Sequence, residues 1–290
     1  MRKFAVSLVF ILVGIIVWYA SLFWVNNRDS EMPDRELLTA HLDRAIDWIE
    51  ENIDGVESAN NPPLWWMLKQ SVEISRNPRL ISFYKRHEDE LITKRGWYVW
   101  TNMFKPYAHV DLPELYMLSH LPDYNYLFLY GLTCDSDWEG EPEVQRQLDL
   151  GFCSMHYLHP RCVTHQMIGV RFMQRRNCGN SEVVGRLVQG LQDTIVAELT
   201  WDPRVVDAYI QRVVMLIDSG AADRVNPTWI WRVLNAQNDD GGWGDIDPVL
   251  RLPGGKTIGF SSKMIGYGNL HSNFHATAQG VWLISLLLSQ

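Results

Sequence analysis

ELLTAHLDRAIDWIEENI, residues 36–53, places Leu38, Leu42, Ile46 and Ile49 three or four positions apart, with Leu37 beside the first and charged residues between them. That period predicts a helix with one apolar face, and Asp54-Gly55 ends it. Pro62-Pro63 opens a second helix carrying Leu64, Trp65, Leu68 and Val72. Outward from this pair the same period continues through 79–93, 112–132, 142–157, 161–176, 181–199, 203–219, 227–237 and 270–289. Few runs alternate in the manner of a strand, and most breaks contain Gly, Pro or Asn-Pro. The expectation is an all-α chain whose successive helices double back as hairpins around a shared core.

Ahead of this array stands FAVSLVFILVGIIVWYASLFWV, residues 4–25, uncharged and almost wholly apolar behind Arg2 and Lys3. At about 1.5 Å per residue it is long enough to cross a bilayer core. It is also longer than the apolar region of a cleavable signal, and Trp18 occupies the place where processing wants a small residue. The sequence therefore predicts a tail and membrane anchor over 1–28 and a soluble domain over 29–290. A long C-terminal domain translocates largely regardless of its charge, so the expected location is extracytoplasmic: a single-pass protein of a bacterial inner membrane, facing the periplasm. The absence of an Asn-x-Ser/Thr acceptor agrees with that, since Asn226-Pro227-Thr228 has proline in the middle. A net charge of −8, which deepens once Arg2, Lys3 and Arg28 are set aside, argues against nucleic acid as a partner. The membrane, through residues 4–25, and a small molecule or glycan are the expected partners. Trp and Tyr recur along the chain, in keeping with large buried contacts or a stacking surface for sugars or lipids.

Cys134, Cys153, Cys162 and Cys178 make an even number in one central stretch of an exported domain, which points to disulfides. Three pairings are possible, and spacing does not choose among them. Cys153, His156, His159, Cys162 and His165 also form a run of zinc-ligand residue types across a helix break at Pro160. The spacing fits no standard zinc pattern, so zinc stands as an open cofactor and the five residues as candidate ligands.

A resemblance enters at WIWRVLNAQNDDGGW, residues 229–243, where Gln237, Gly241 and Trp243 match the Gln-x-x-x-Gly-x-Trp pattern of the QW motif in terpenoid cyclases and related toroid proteins. The following HSNFHATAQGVWLISLLL segment, with Ala276-Thr277-Ala278 and Trp282, is similar to an inner helix of that α/α-toroid superfamily, which also includes protein prenyltransferase-like folds. The likeness covers roughly 60 residues and implies a ring of helical hairpins, in which Gln237 caps a neighbouring helix and Trp243 staples the preceding one. The acidic segment with which cyclases protonate their substrate is absent, and His275 stands where its acid would precede Thr-Ala. Polysaccharide lyases and glycosidases of toroid or barrel form use His, Tyr, Arg or carboxylates in a central cleft, which keeps that class open by analogy.

His271 and His275 are four apart and share a helix face, with Gln279 one turn on; His159, His165 and Gln166 repeat the pattern loosely. If both segments are inner helices, their histidines meet at one mouth. His165 and His275 are then the candidate proton-transfer residues, while His159 and His271 contact substrate. A glycine-rich loop over 239–269 would bring Trp243 and Tyr267 to the ligand. The sequence thus predicts ligand binding or catalysis on an envelope carbohydrate or lipid-like substrate. Its alternative is a noncatalytic structural or protein-interaction domain of the envelope, possible with or without zinc; the residues alone do not decide whether the chain is an enzyme.

Overall fold

The computed structural model describes residues 2–93, 98–153, 161–261 and 265–290. Helix dominates. The first helix, α1 (Arg2–Asn27), contains an apolar stretch, Val9–Asn27, long enough to cross a membrane by length and composition. The next four are α2 (Arg35–Glu51), α3 (Ile53–Ser58), α4 (Pro62–Ser75) and α5 (Pro78–Thr93). Five more, α6 (Thr101–Phe104), α7 (Tyr124–Thr133), α8 (Ser136–Glu139), α9 (Pro142–Gln147) and α10 (Cys162–Arg176), cover the centre. The chain continues through α11 (Ser181–Trp201), α12 (Asp207–Asp218) and α13 (Pro227–Asn235), and ends on α14 (Phe274–Leu288).

Local chemistry explains the boundaries. Asp34 caps α2 by accepting from the Leu37 amide at 2.7 Å, and Leu38, Leu42, Ala45, Ile46, Trp48 and Ile49 are its buried stripe. Asn180 and Asn273 cap α11 and α14 in the same way. α14 is buried almost all round, which identifies it as a central helix. It packs against α4, α2 and α12; α12 touches α10, and α10 lies along α7. α2, α11 and α13 lie against this row. The α7–α10 contact is close because Gly131 and Gly169 face it: a Cβ on Gly169 would lie 2.6 Å from Leu127, and one on Gly131 2.7 Å from the Gly169 carbonyl.

Three expectations are corrected. The 112–132 segment is not one helix: Pro113 and Pro122 interrupt it, leaving a short 3₁₀ turn at Leu115–Leu118 before α7. The 142–157 helix stops at Gln147, and Asp149 accepts from the Gly151 amide at 2.8 Å in a turn that replaces the next helical bond. The all-α expectation fails in the glycine-rich loop, which holds a three-stranded antiparallel sheet: β1 (Asp247–Arg251), β2 (Lys256–Phe260) and β3 (Ile265–Asn269). Glycines at 259, 266 and 268 hide the strand alternation in sequence. Gly259 is required, because a Cβ there would lie 2.3 Å from the Asp247 carbonyl.

Two disulfides lock the centre: Cys134–Cys178 joins the ends of α7 and α10, and Cys153–Cys162 ties Cys153 to the start of α10. On a chain-entropy model, cross-links over loops of this size stabilise by about 4 and about 2 to 3 kcal/mol respectively.

The turn from α11 to α12 is organised by Arg212, a buried arginine on α12. Its Nε donates to Glu198 Oε2 at 2.8 Å and its Nη1 to Asp202 Oδ2 at 3.1 Å. Arg204 donates to both oxygens of Asp202, at 2.6 and 2.8 Å. Burial acts to raise both carboxyls; the guanidinium bonds overcome it at Asp202, which lies below its ordinary range, but not at Glu198, which lies above. The end of α1 is fastened to the same turn. Asn26, fully buried, donates to the Leu199 carbonyl at 2.6 Å and accepts from the Tyr209 hydroxyl at 2.8 Å and from Arg232 at 3.1 Å.

Breaking a buried ion pair from one side leaves an uncompensated charge. Arg212→Met should therefore lower unfolding free energy by about 3 to 5 kcal/mol, read by denaturant titration of the full chain in detergent.

Candidate functional site

The helices that pack in a row also begin at one place. The first residues of α4, α7, α10 and α14 line a cleft of about 980 Å³, and Gln211 reaches it from the first turns of α12. That volume suits a small-molecule or short oligomeric ligand. Aromatic rings of Trp100, Tyr124, Phe128 and Phe152 form walls, while Asn125, Gln166 and Gln211 supply amides.

His165 stands in this cleft, one turn into α10. Its Nδ1 lies 2.6 Å from the Arg161 carbonyl, which can only accept, so Nδ1 carries the proton and Nε2 keeps its lone pair. The ring packs on Tyr124, with centroids 4.1 Å apart, and is parallel to Phe128 at 6.1 Å. Burial pushes its pKa down to about 4; the Arg161 carbonyl opposes that, while the positive charges of His275 and Arg161 add to it. His165 is therefore a neutral imidazole at ordinary pH. Burial likewise raises the Tyr124 phenol, keeping it a protonated donor.

His275, in the first turn of α14, lines the same cleft. Its Nδ1 lies 3.4 Å from Oδ2 of Asp207, the buried first residue of α12, and its Nε2 lies 3.2 Å from the Gln279 amide nitrogen. Arg161 lies 3.0 Å from the same Asp207 oxygen. Burial alone would raise the Asp207 carboxyl; the His275 bond and the Arg161 charge reverse this and hold it below its ordinary value. The carboxylate thus fixes the His275 tautomer with the proton on Nδ1. Gln279 suits both protonation states: as placed its amide donates to Nε2, and a half-turn would present its buried, otherwise unpartnered Oε1 to an Nε2–H. Gln166, buried in the cleft wall, donates to the Gln147 and Asp149 carbonyls at 2.7 and 2.8 Å, while its Oε1 has no partner among the described residues.

The structure brings His165 and His275 into one cleft, which Cys162 also lines, and keeps Trp243, His271 and Tyr267 out of its lining. Trp243 does not offer a stacking face: it is buried, donates from Nε1 to the Val233 carbonyl at 2.7 Å, and packs where a Cβ on Gly280 would lie 2.6 Å from its ring. Gln237 donates to the His41 carbonyl at 2.9 Å and the Gly241 carbonyl at 2.7 Å, and accepts from His41 Nδ1. Both residues of the sequence pattern are thus engaged within the protein. His271 is exposed beside the Asn269 carbonyl, and Tyr267 is exposed on β3; neither lines the cleft. Cys153 and Cys162 are bonded to each other, which removes both thiolates from any metal site. His156 and His159 lie outside the described residues, and among the described residues no three His, Cys, Asp or Glu side chains gather as metal ligands. Sequence reasoning missed Asp207 and Arg161. The available signal was slight: an acid opening a helix after Asp202-Pro203, and an arginine beside the Pro160 break.

No protein-family model, curated protein or solved structure matches the chain.

Because the folded His165 pKa lies below that of the unfolded chain, the unfolded state takes up this proton first as pH falls. The contribution is intact above about pH 6.5 and is lost from there down to about 4. His165→Asn should remove roughly 1 to 3 kcal/mol of the stability lost between pH 7 and 4, read from unfolding curves across that range.

Proposed function

We propose that this is a membrane-anchored, extracytoplasmic protein whose cleft binds an envelope carbohydrate and acts on it by general acid–base chemistry. The observation that carries the reading is the pairing, in one cleft, of a neutral imidazole, His165, with a second imidazole, His275, backed by the buried Asp207 carboxylate. Two imidazoles in different environments suit the two halves of a proton transfer: His165 accepts through Nε2, and His275, set against Asp207 and Gln279, donates. Arg161 neutralises Asp207 and offers its charge to an anionic group on the ligand. Aromatic walls with amides set among them match the apolar faces and hydroxyl edges of a sugar.

The location rests on α1, whose length and apolarity suit a span, and on two disulfides, which suit an oxidising compartment. The toroid-like reading draws support from the row α4, α14, α12, α10 and α7, whose first turns share the cleft, and from α6, which packs against both α4 and α7. On that reading Gln237 and Trp243 are structural staples, as the resemblance to the cyclase superfamily implies.

The test is turnover and binding of envelope-derived oligosaccharides by the full chain in nanodiscs. His165→Ala and His275→Ala should each lower turnover by about 10²- to 10⁴-fold, with melting temperatures at neutral pH close to the parent. Asp207→Asn should lower turnover while keeping affinity. Unchanged binding and turnover in both histidine variants would overturn the assignment.

A further inference from the structure

The sheet is inverted relative to an ordinary surface sheet. In β2, Thr257 and Gly259 are the buried positions, so Ile258 and Phe260 point the other way. The register sets Leu250 opposite Ile258, Tyr267 opposite Ile258, and Ile265 opposite Phe260. Directly paired residues share a face, so Leu250, Ile258, Phe260, Ile265 and Tyr267 form one continuous outward surface. Ile265 and Tyr267 are each 67 % exposed and Leu250 is 52 % exposed. A sheet with one face on the core ordinarily turns polar residues to water. Here the apolar side is outward, and the face becomes polar at its two ends, where Lys256 pairs with Asn269 and where Asp247, bonded to the Val205 amide, pairs with Phe260.

What covers this face is indicated by its neighbour. Trp18 of α1 packs on Phe260, with centroids 5.8 Å apart and the rings tilted by 32°. Alongside it, the Tyr19 hydroxyl donates to the Trp201 carbonyl at 2.6 Å and Phe23 stacks on Trp201, itself 46 % exposed. Trp18 lies nine residues before Asn27, about 14 Å along the helix and well inside the apolar stretch. If that stretch spans a bilayer whose core is about 30 Å thick, few of its residues can remain in water, and Trp18 lies at or below the headgroup level. The sheet touching Trp18 is held at the same level.

We propose that the outward face of the three-stranded sheet, together with Trp201, is a second membrane contact: it seats in the bilayer interface beside α1, with Tyr267 and Trp201 among the headgroups. The apolar side chains replace water with acyl chain, the aromatic pair suits the interfacial zone, and Lys256 at the rim meets anionic headgroups. Asp247, at the start of β1, accepts from the Val205 amide at 3.0 Å beside the first turn of α12, so seating the sheet also sets the cleft end of the domain towards the lipid.

The experiment is site-directed spin labelling of the full chain in vesicles of phosphatidylcholine and phosphatidylglycerol. The native cysteines are paired and leave an introduced cysteine as the labelling target. Single variants Ile265→Cys, Tyr267→Cys and Leu250→Cys report on the sheet, Val13→Cys on α1, and Val183→Cys, exposed at the start of α11, on water. Collision with oxygen relative to a water-soluble nickel chelate should be several-fold higher at 265, 267 and 250 than at 183, approaching the ratio at 13. A lipid-like ratio at 13 with water-like ratios at all three sheet positions would overturn the sheet contact alone. A water-like ratio at 13 would overturn the span and the sheet contact together. The labelled positions are exposed, so melting temperatures near the parent verify that each variant is folded.

Discussion

Arg212 is the constraint on which much of the remaining architecture rests. A guanidinium with almost no contact to water requires its partners in fixed positions, because the low-dielectric surroundings make a misplaced partner costly. Its partners are Glu198, in the last turn of α11, and Asp202, in the connecting turn, so the pairing dictates how the chain leaves one helix and enters the next. Two consequences follow within a few residues. Upstream, the Leu199 and Thr200 carbonyls are presented to Asn26 and Asn27 at the end of α1. Downstream, Asp207 emerges as the first residue of α12, buried and aimed at His275 and Arg161. One buried charge cluster thereby positions both the end of α1 and the carboxylate of the cleft.

The cleft shows how little is needed to give two identical side chains different roles. Both histidines sit in the first turn of a helix and line one cavity, yet one proton is fixed by a neutral backbone carbonyl and the other by a carboxylate. A carbonyl orients an imidazole and supports its cation less than a carboxylate does. Burial against Tyr124 and Phe128 then completes the separation.

Much of this was legible in the residues. The stripe of α2, the Pro62-Pro63 start of α4, and the long periods of α10, α11 and α14 are strong local signals, and each helix forms within a few residues of its expected place. The meeting of His165 and His275 followed from treating both segments as central helices. The remainder was hidden for physical reasons. Strands built around Gly259, Gly266 and Gly268 carry none of the β-branched alternation that identifies a sheet, because close backbone contact at Gly259 excludes a side chain. The sequence offers Trp243 both as a helix staple, through the resemblance, and as a ligand-stacking face, and its residue type does not choose between them; its burial against Val233 and Gly280 does. Asp207 and Arg161 are distant in sequence and acquire meaning only once α10 and α12 are side by side.

Asn26 gives the arrangement a mechanical meaning. Many membrane-tethered domains hang from a flexible linker and sample a hemisphere above the lipid, so their effective concentration at a target depends on linker length. With Asn26 held by Leu199, Tyr209 and Arg232, the helix continues into the domain without a hinge. The residues between α1 and α2 then set no leash length. On the proposed reading of α1 as a span, the height of the cleft above the bilayer is then set by the fold, and targets are selected by their distance from the membrane as well as by their chemistry.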